Sequence, residues 1–325
     1  MPCSSPKVFL VARVCAKLSW SRRTRTTSSP SWRVWMGSAS SRAARPAARC
    51  GASSDAPDSA APSTVVIAAL RRKVLGHYRR QGRDLPWRNT TDPYAILVSE
   101  VMLQQTQVER VIAYWRRWMK RLPTLERCAR CRPASVLKLW SGLGYNSRAL
   151  RLRGACRQIL ALHQGKVPMD ETALIALPGI GVYTARAILA FAFNQDVAVI
   201  DTNVRRVLLH ELVLGEDVSA GQLEEIALRC IPRGHSRDWH NALMDYGAMV
   251  ATSSSTGIKP LSRQSRFEGS DRQVRGAIVR MLAAQGECLL DELRRQWPGK
   301  DVSAIAARLQ REGLVRLAGT RIRLP

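Results

Sequence analysis

From Val65 to about Val250 apolar residues recur three and four positions apart, and short segments carrying Pro or Gly interrupt the recurrence. The periodic runs are Val65–Tyr78, Ile96–Met119, Ser135–Leu139, Ala149–Leu162 and Ala185–Phe193. The breaks hold Leu85-Pro86, Pro123, Gly142–Gly144, Pro168, Pro178-Gly179 and Gly215. Such spacing gathers apolar side chains on one helix face, and Pro or Gly ends the helix. Residues 64–252 are therefore expected to form an all-α domain of many helices joined by short loops. Beyond a basic linker at 253–272, residues 273–325 read as a compact module. Val274–Ala284, Leu289–Gln296 and Val302–Glu312 are its expected helices, with a β-hairpin from Leu314–Leu317 and Thr320–Leu324. Three helices and a hairpin make a winged-helix-like unit, a docking element for DNA or protein.

Charge narrows the partner. The chain has 51 Lys+Arg against 25 Asp+Glu, a formal net charge of +26. Residues 1–63 hold 10 basic and 2 acidic residues, so 41 basic against 23 acidic residues remain and the rest is itself basic at +18. A polyanion, with nucleic acid first, is the expected partner. Residues 1–63, rich in Ser, Arg, Ala and Pro, offer little apolar surface to offset chain entropy and are expected to be disordered. Their composition also resembles an organelle transit peptide, which leaves targeting open. No stretch is apolar for long enough to cross a membrane. The eight cysteines show no framework spacing, and Cys128 and Cys131 form a lone CxxC. Reduced thiols, no metal site and a cytoplasmic, nucleoid-associated monomer are the expectations.

The most informative segment is Leu177-Pro178-Gly179-Ile180-Gly181-Val182-Tyr183-Thr184-Ala185. An apolar helix leads in, Pro178 stops it, and the two glycines allow a tight turn before the next helix. Backbone N–H groups at that helix start suit a DNA phosphate, and missing Cβ atoms allow close approach. Gly179, Gly181, Val182 and Thr184 are the candidate contacts, and the hairpin is also a candidate seat for a monovalent cation. About twenty residues on, Asp201 follows the apolar run Ala198-Val199-Ile200.

LPGIGVYTA followed by VIDTNVRRVL resembles the helix-hairpin-helix DNA glycosylase superfamily, with Asp201 at the position of its catalytic aspartate. LPWR at 85–88, SEVMLQQTQV at 99–108, GLGYNSRA at 142–149 and MDYGAMV at 244–250 are similar to the MutY family in particular. The resemblance covers roughly residues 65–250. It implies a two-lobed fold and hydrolysis of the N-glycosidic bond of a mispaired adenine in double-stranded DNA, opposite 8-oxoguanine or guanine. Breaking a C1′–N bond through an oxocarbenium-like transition state suits two unlike carboxyls. The resemblance puts Glu100 in the role of proton donor to the base. Its apolar neighbours, Ile96, Leu97, Val98, Val101 and Met102, predict a desolvated carboxyl with a raised pKa. Asp201 takes the ionised role, supported by Asn203. Tyr183 stands where strand-cleaving relatives carry a lysine, so Schiff-base chemistry is not expected. Gln104 and Gln105 match the pair that enters the duplex when a base is flipped, and Tyr145 a residue beside that wedge. Arg148, Arg205 and Arg206 are candidate phosphate contacts.

Two departures matter. The family holds an iron–sulfur cluster with four cysteines after the MDxGA segment, whereas no cysteine lies here between Cys230 and Cys288. No cofactor is therefore expected. The family commonly has a large C-terminal domain that helps recognise 8-oxoguanine; here only about 55 residues follow Gly269, and a short module is expected in its place. Two alternatives stay open on sequence: a thymine glycosylase acting on G·T mismatches, and a DNA-binding protein without catalysis.

Overall fold

Side-chain caps start many of the helices. Ser63, Asp92, Thr124, Asp170, Asp201, Ser219 and Asp301 each accept a backbone N–H of the turn that follows. The computed structural model describes residues 62–259 and 266–325. The expectations for the N-terminal extension lie outside the described residues, apart from Pro62 and Ser63, the second of which caps the first helix.

Helices α1 (Thr64–Gln81), α2 (Pro93–Leu103), α3 (Val108–Arg121), α4 (Leu125–Arg130), α5 (Pro133–Trp140) and α6 (Ser147–Leu162) come first. A 3-10 turn, Pro86–Arg88, separates α1 from α2. Then follow α7 (Glu171–Ile175), α8 (Val182–Phe193), α9 (Thr202–Glu211), α10 (Ala220–Cys230), α11 (Ser236–Met249) and the one-turn α12 (Ser253–Thr256). The C-terminal module runs α13 (Asp271–Gln285), β1 (Glu287–Leu289), α14 (Leu290–Gln296), α15 (Val302–Arg311), β2 (Arg316–Ala318) and β3 (Arg321–Arg323). Its antiparallel sheet has the order β1-β3-β2, with Cys288 opposite Ile322 and Leu317 opposite Ile322. The short strand β1 was not expected from the sequence.

Two main apolar clusters form. One joins α2 through α8; the other joins α1 to α9, α10 and α11, so the start of the described chain packs against segments far along it. The chain thus folds as two lobes, with α2, α8 and the head of α9 between the cores.

Three boundaries differ from expectation. The long periodic run at 96–119 is broken at Gln104–Gln107, where the Arg148 guanidinium takes the carbonyls of Val101, Met102 and Gln104. Those carbonyls cap α2 on a side chain 44–47 residues away, a contact that periodicity does not encode. The linker 253–272 is partly helical, since α12 forms within it and α13 begins at Asp271. The C-terminal module shares a core with the rest: Val274, Ile278 and Val279 of α13 join the cluster that holds Val136, Leu137 and Trp140 of α5.

Candidate active site

A cavity of about 780 Å³ opens between the lobes, lined by Glu100, Tyr183, Asp201 and Asn203 together with Gln104, Gln105 and Tyr145. Glu100 sits mid-α2 among apolar neighbours and is only 6% exposed. Its carboxyl takes no hydrogen bond from any described residue. Burial first, then the nearby Asp201 charge, push its pKa up to about 8, against the pull of Arg88. Asp201 is placed as the N-cap of α9, accepting Val204 N–H at 2.7 Å and Asn203 Nδ2 at 3.1 Å. Burial raises its pKa, while these hydrogen bonds and the Arg206 charge oppose the rise. The helix dipole of α9 favours the anion at the same spot. The two carboxyls are thus held unlike, one buried and without a hydrogen bond among the described residues, the other bonded and facing a helix start. The Tyr183 hydroxyl stays neutral, held well above its usual range by burial and by both carboxyls.

Beside them the hairpin from α7 to α8 closes the lobe. Gly179 has φ +81°, and a Cβ there would lie 2.9 Å from the Arg151 Cβ, so glycine is required. Gly181 caps α8 at φ −100°, and a Cβ would meet only open space. Val182 is 49% exposed. The start of α8 at Gly181 and Val182 thus lies at the surface. Thr184 does not: it is buried, and its hydroxyl accepts from Gln104 Nε2 at 3.1 Å. Its side chain braces Gln104 and does not itself face the solvent.

Arg148 and Arg206 require correction. Arg148 is buried, its pKa lowered to about 10 by burial, and it donates to five oxygens: the carbonyls of Val101, Met102, Gln104 and Gly144, and Thr106 Oγ1. It moulds the loop carrying Gln104 and Gln105. Arg206, also buried, donates to Ala251 O, Gly247 O and Asn203 Oδ1, and so steadies Asn203 beside Asp201. A guanidinium spent on buried carbonyls does not reach a phosphate. Arg205 is half-buried and bonds Glu216 O. Gln105 (φ +55°) and Tyr145 (φ +47°) both hold left-handed backbone at the cavity mouth, a strained state found at functional loops. Tyr145 Oη accepts from Arg272 Nη1 of α13 at 3.1 Å, so the C-terminal module reaches the rim.

Sequence reasoning singled out LPWR and MDYGAMV without giving their residues roles. Arg88 grips Asp245 in a two-point pair, Nη1–Oδ2 at 2.8 Å and Nη2–Oδ1 at 2.9 Å, and Arg83 adds Nε–Oδ1 at 2.7 Å. His240 was missed altogether. Its Nε2 accepts Val199 N–H at 3.2 Å and its Nδ1 lies 2.8 Å from Ser236 O, which fixes the run leading to Asp201. Burial pushes its pKa down to about 4, keeping the ring neutral as this pattern requires.

Residues 98–233 match the HhH-GPD superfamily of base excision DNA repair proteins. The chain is 40% identical over 231 residues to an adenine DNA glycosylase of Mycolicibacterium smegmatis, covering 65% of this chain and 79% of that one. It is 38% identical over 233 residues to an adenine DNA glycosylase of Homo sapiens, covering 68% and 42%. Among solved structures, a thermostable thymine-DNA glycosylase is similar with a TM-score of 0.56 at 28% identity, over 60% of this chain and 90% of that one. An endonuclease III trapped as a covalent intermediate on DNA is similar in fold, with a TM-score of 0.52 at 20% identity over 62% and 91%.

Proposed function

Because the chain belongs to the MutY-like adenine DNA glycosylases of the HhH-GPD superfamily, we propose that it removes adenine mispaired with 8-oxoguanine or guanine, by hydrolysis alone and as a monomer. The observation that carries the reading is the pair of unlike carboxyls, Glu100 and Asp201, on one cavity. Glu100, protonated near neutrality, donates to a ring nitrogen of the flipped adenine, and the C1′–N bond breaks with its electron pair leaving on the base. The Asp201 carboxylate stabilises the positive sugar and orients a water, whose oxygen bonds C1′ as a proton passes to the carboxylate. Gln104 and Gln105 fill the gap left in the stack. Tyr183 offers no amine, so no Schiff base forms, and borohydride would trap none.

Single-turnover base release on duplexes bearing A·8-oxoguanine, A·G and T·G tests the reading. Adenine release lost in Glu100→Gln and Asp201→Asn supports it. Thymine release alone would move the chain to the mismatch branch, for which the likeness to a thymine-DNA glycosylase speaks. Binding without release from any duplex would leave a recognition protein.

The iron–sulfur cluster of the family does not fit this chain. The stretch after α11 offers hydroxyls in place of thiolates, and these bond the backbone: Ser255 Oγ to Val250 O at 2.8 Å, Thr256 Oγ1 to Thr252 O at 2.8 Å and Ser253 Oγ to Ile258 O at 3.0 Å. Our reading is that these bonds and Arg206 hold the segment without a cluster. Stoichiometric iron in the purified protein would overturn it.

A further inference from the structure

Two motifs that lie 157 residues apart meet beside the cavity, and the function derived above uses neither. Arg88 lines the cavity with Glu100. Its guanidinium faces a carboxylate that is completely buried, Asp245 on α11, which also accepts the Arg83 backbone N–H at 2.8 Å. Two guanidinium groups thus share one carboxylate, which offsets one of the two positive charges and makes its two-point pair with Arg88.

We propose that Asp245 is a positioning residue that acts through Arg88: by pairing that guanidinium at the cavity wall, it keeps an unbalanced positive charge off Glu100, so that Glu100 keeps its proton at neutral pH. The proposal rests on Glu100 being the acid of the reaction derived above.

The groups around Glu100 leave Arg88 as the one under such control. Asp201 at the head of α9 favours the protonated acid, and Tyr183 on α8 is neutral. Arg148 on α6 is spent on carbonyls, as is Arg237 of α11, which donates to Phe191 O and Ala192 O. Arg83 and Arg151 line the cavity without a resolved influence on Glu100. Arg88 is the cation that pulls on the Glu100 carboxyl, and Asp245 is the counter-charge on Arg88. A neighbouring cation lowers a carboxyl's pKa, by up to about one to three pH units at close range.

The test follows the Glu100 carboxyl by ¹³C NMR in protein labelled at glutamate, with the Glu100→Gln spectrum identifying its signal. In Asp245→Asn the midpoint is expected to fall by about one pH unit or more. The basic limb of single-turnover adenine release should move down with it. Adding Arg88→Gln to Asp245→Asn should restore the midpoint, and Arg88→Gln alone should raise it. A merely structural role would lower the rate while leaving the midpoint in place, and that result would overturn the proposal. So would an upward move in Asp245→Asn. If Asp245→Asn does not fold, an unmoved or lowered midpoint in Arg88→Gln decides against it equally. Because the NMR midpoint is read without turnover, wild-type protein that releases no base defeats the glycosylase reading and leaves this test standing.

Discussion

Replacing Glu100 by Gln is expected to abolish base release and yet make the protein more stable, by an amount set by pH. A carboxyl raised from the usual 4.5 to about 8 stays protonated in the fold, while the unfolded chain ionises it. Below pH 4.5 the group is neutral in both states and adds no difference. Between 4.5 and 8 the unfolded state binds fewer protons than the folded one, so stability falls as pH rises, by about 1.4 kcal/mol per pH unit. The loss amounts to roughly 3 kcal/mol at pH 7 and levels off near about 5 kcal/mol above pH 8. Gln has the shape of the protonated acid and never ionises, so it escapes the loss. Urea denaturation of both proteins at pH 4.5, 6 and 7.5 should show a gap that opens with pH. In thermal melts at pH 7 the gap corresponds to about 6–12 °C, taking about 2–4 °C per kcal/mol for a chain of this size. A gap of equal size at all three pH values would refute a raised Glu100 pKa and with it the role of proton donor.

Asp201→Asn should cut single-turnover base release at least about a thousandfold, yet shift the urea midpoint little, because Asn caps a helix as well as Asp does. Arg148→Met should cost about 3 kcal/mol in urea denaturation by orphaning buried carbonyls, while the salt dependence of DNA binding keeps its slope; a slope lower by about 1 would return Arg148 to the phosphate contacts. Gly179→Ala, at positive φ and against Arg151, should destabilise by about 1–3 kcal/mol. Gly181→Ala, in open space, should stay within about 1 kcal/mol of wild type and instead weaken duplex binding, measured by fluorescence anisotropy.

The helices, the hairpin and the two carboxyls were legible because each is a local pattern: a period, a Pro-Gly stop, an acid inside an apolar run. What escaped was long-range. An arginine on a helix looks the same in sequence whether it meets water or turns inward, and Arg148 and Arg206 turn inward onto carbonyls that nearby helix ends and loops leave free. The break after Leu103 depends on Arg148, and the purpose of LPWR depends on Asp245, so neither is written in its own neighbourhood. Strand β1 has three residues and exists through its pairing with β3. His240 gives no local signal, because its role is fixed by the Val199 N–H, 41 residues upstream.

The packing of α1 against α9–α11 has a consequence for synthesis. Helices α2 to α8 are contiguous in the chain and can pack as they leave the ribosome. Ile67, Leu70 and Val74 of α1 emerge first but find their partners only when α11 has been made, about 170 residues after α1 ends. At about 5–20 residues per second that is a wait of roughly 10–30 s with an apolar face uncovered. The second lobe, and with it the carboxylate at the head of α9, is therefore assembled after α2 to α8, with the C-terminal module still to follow. During that interval a chaperone that binds apolar segments competes for α1, and slower translation between the lobes lengthens its opportunity.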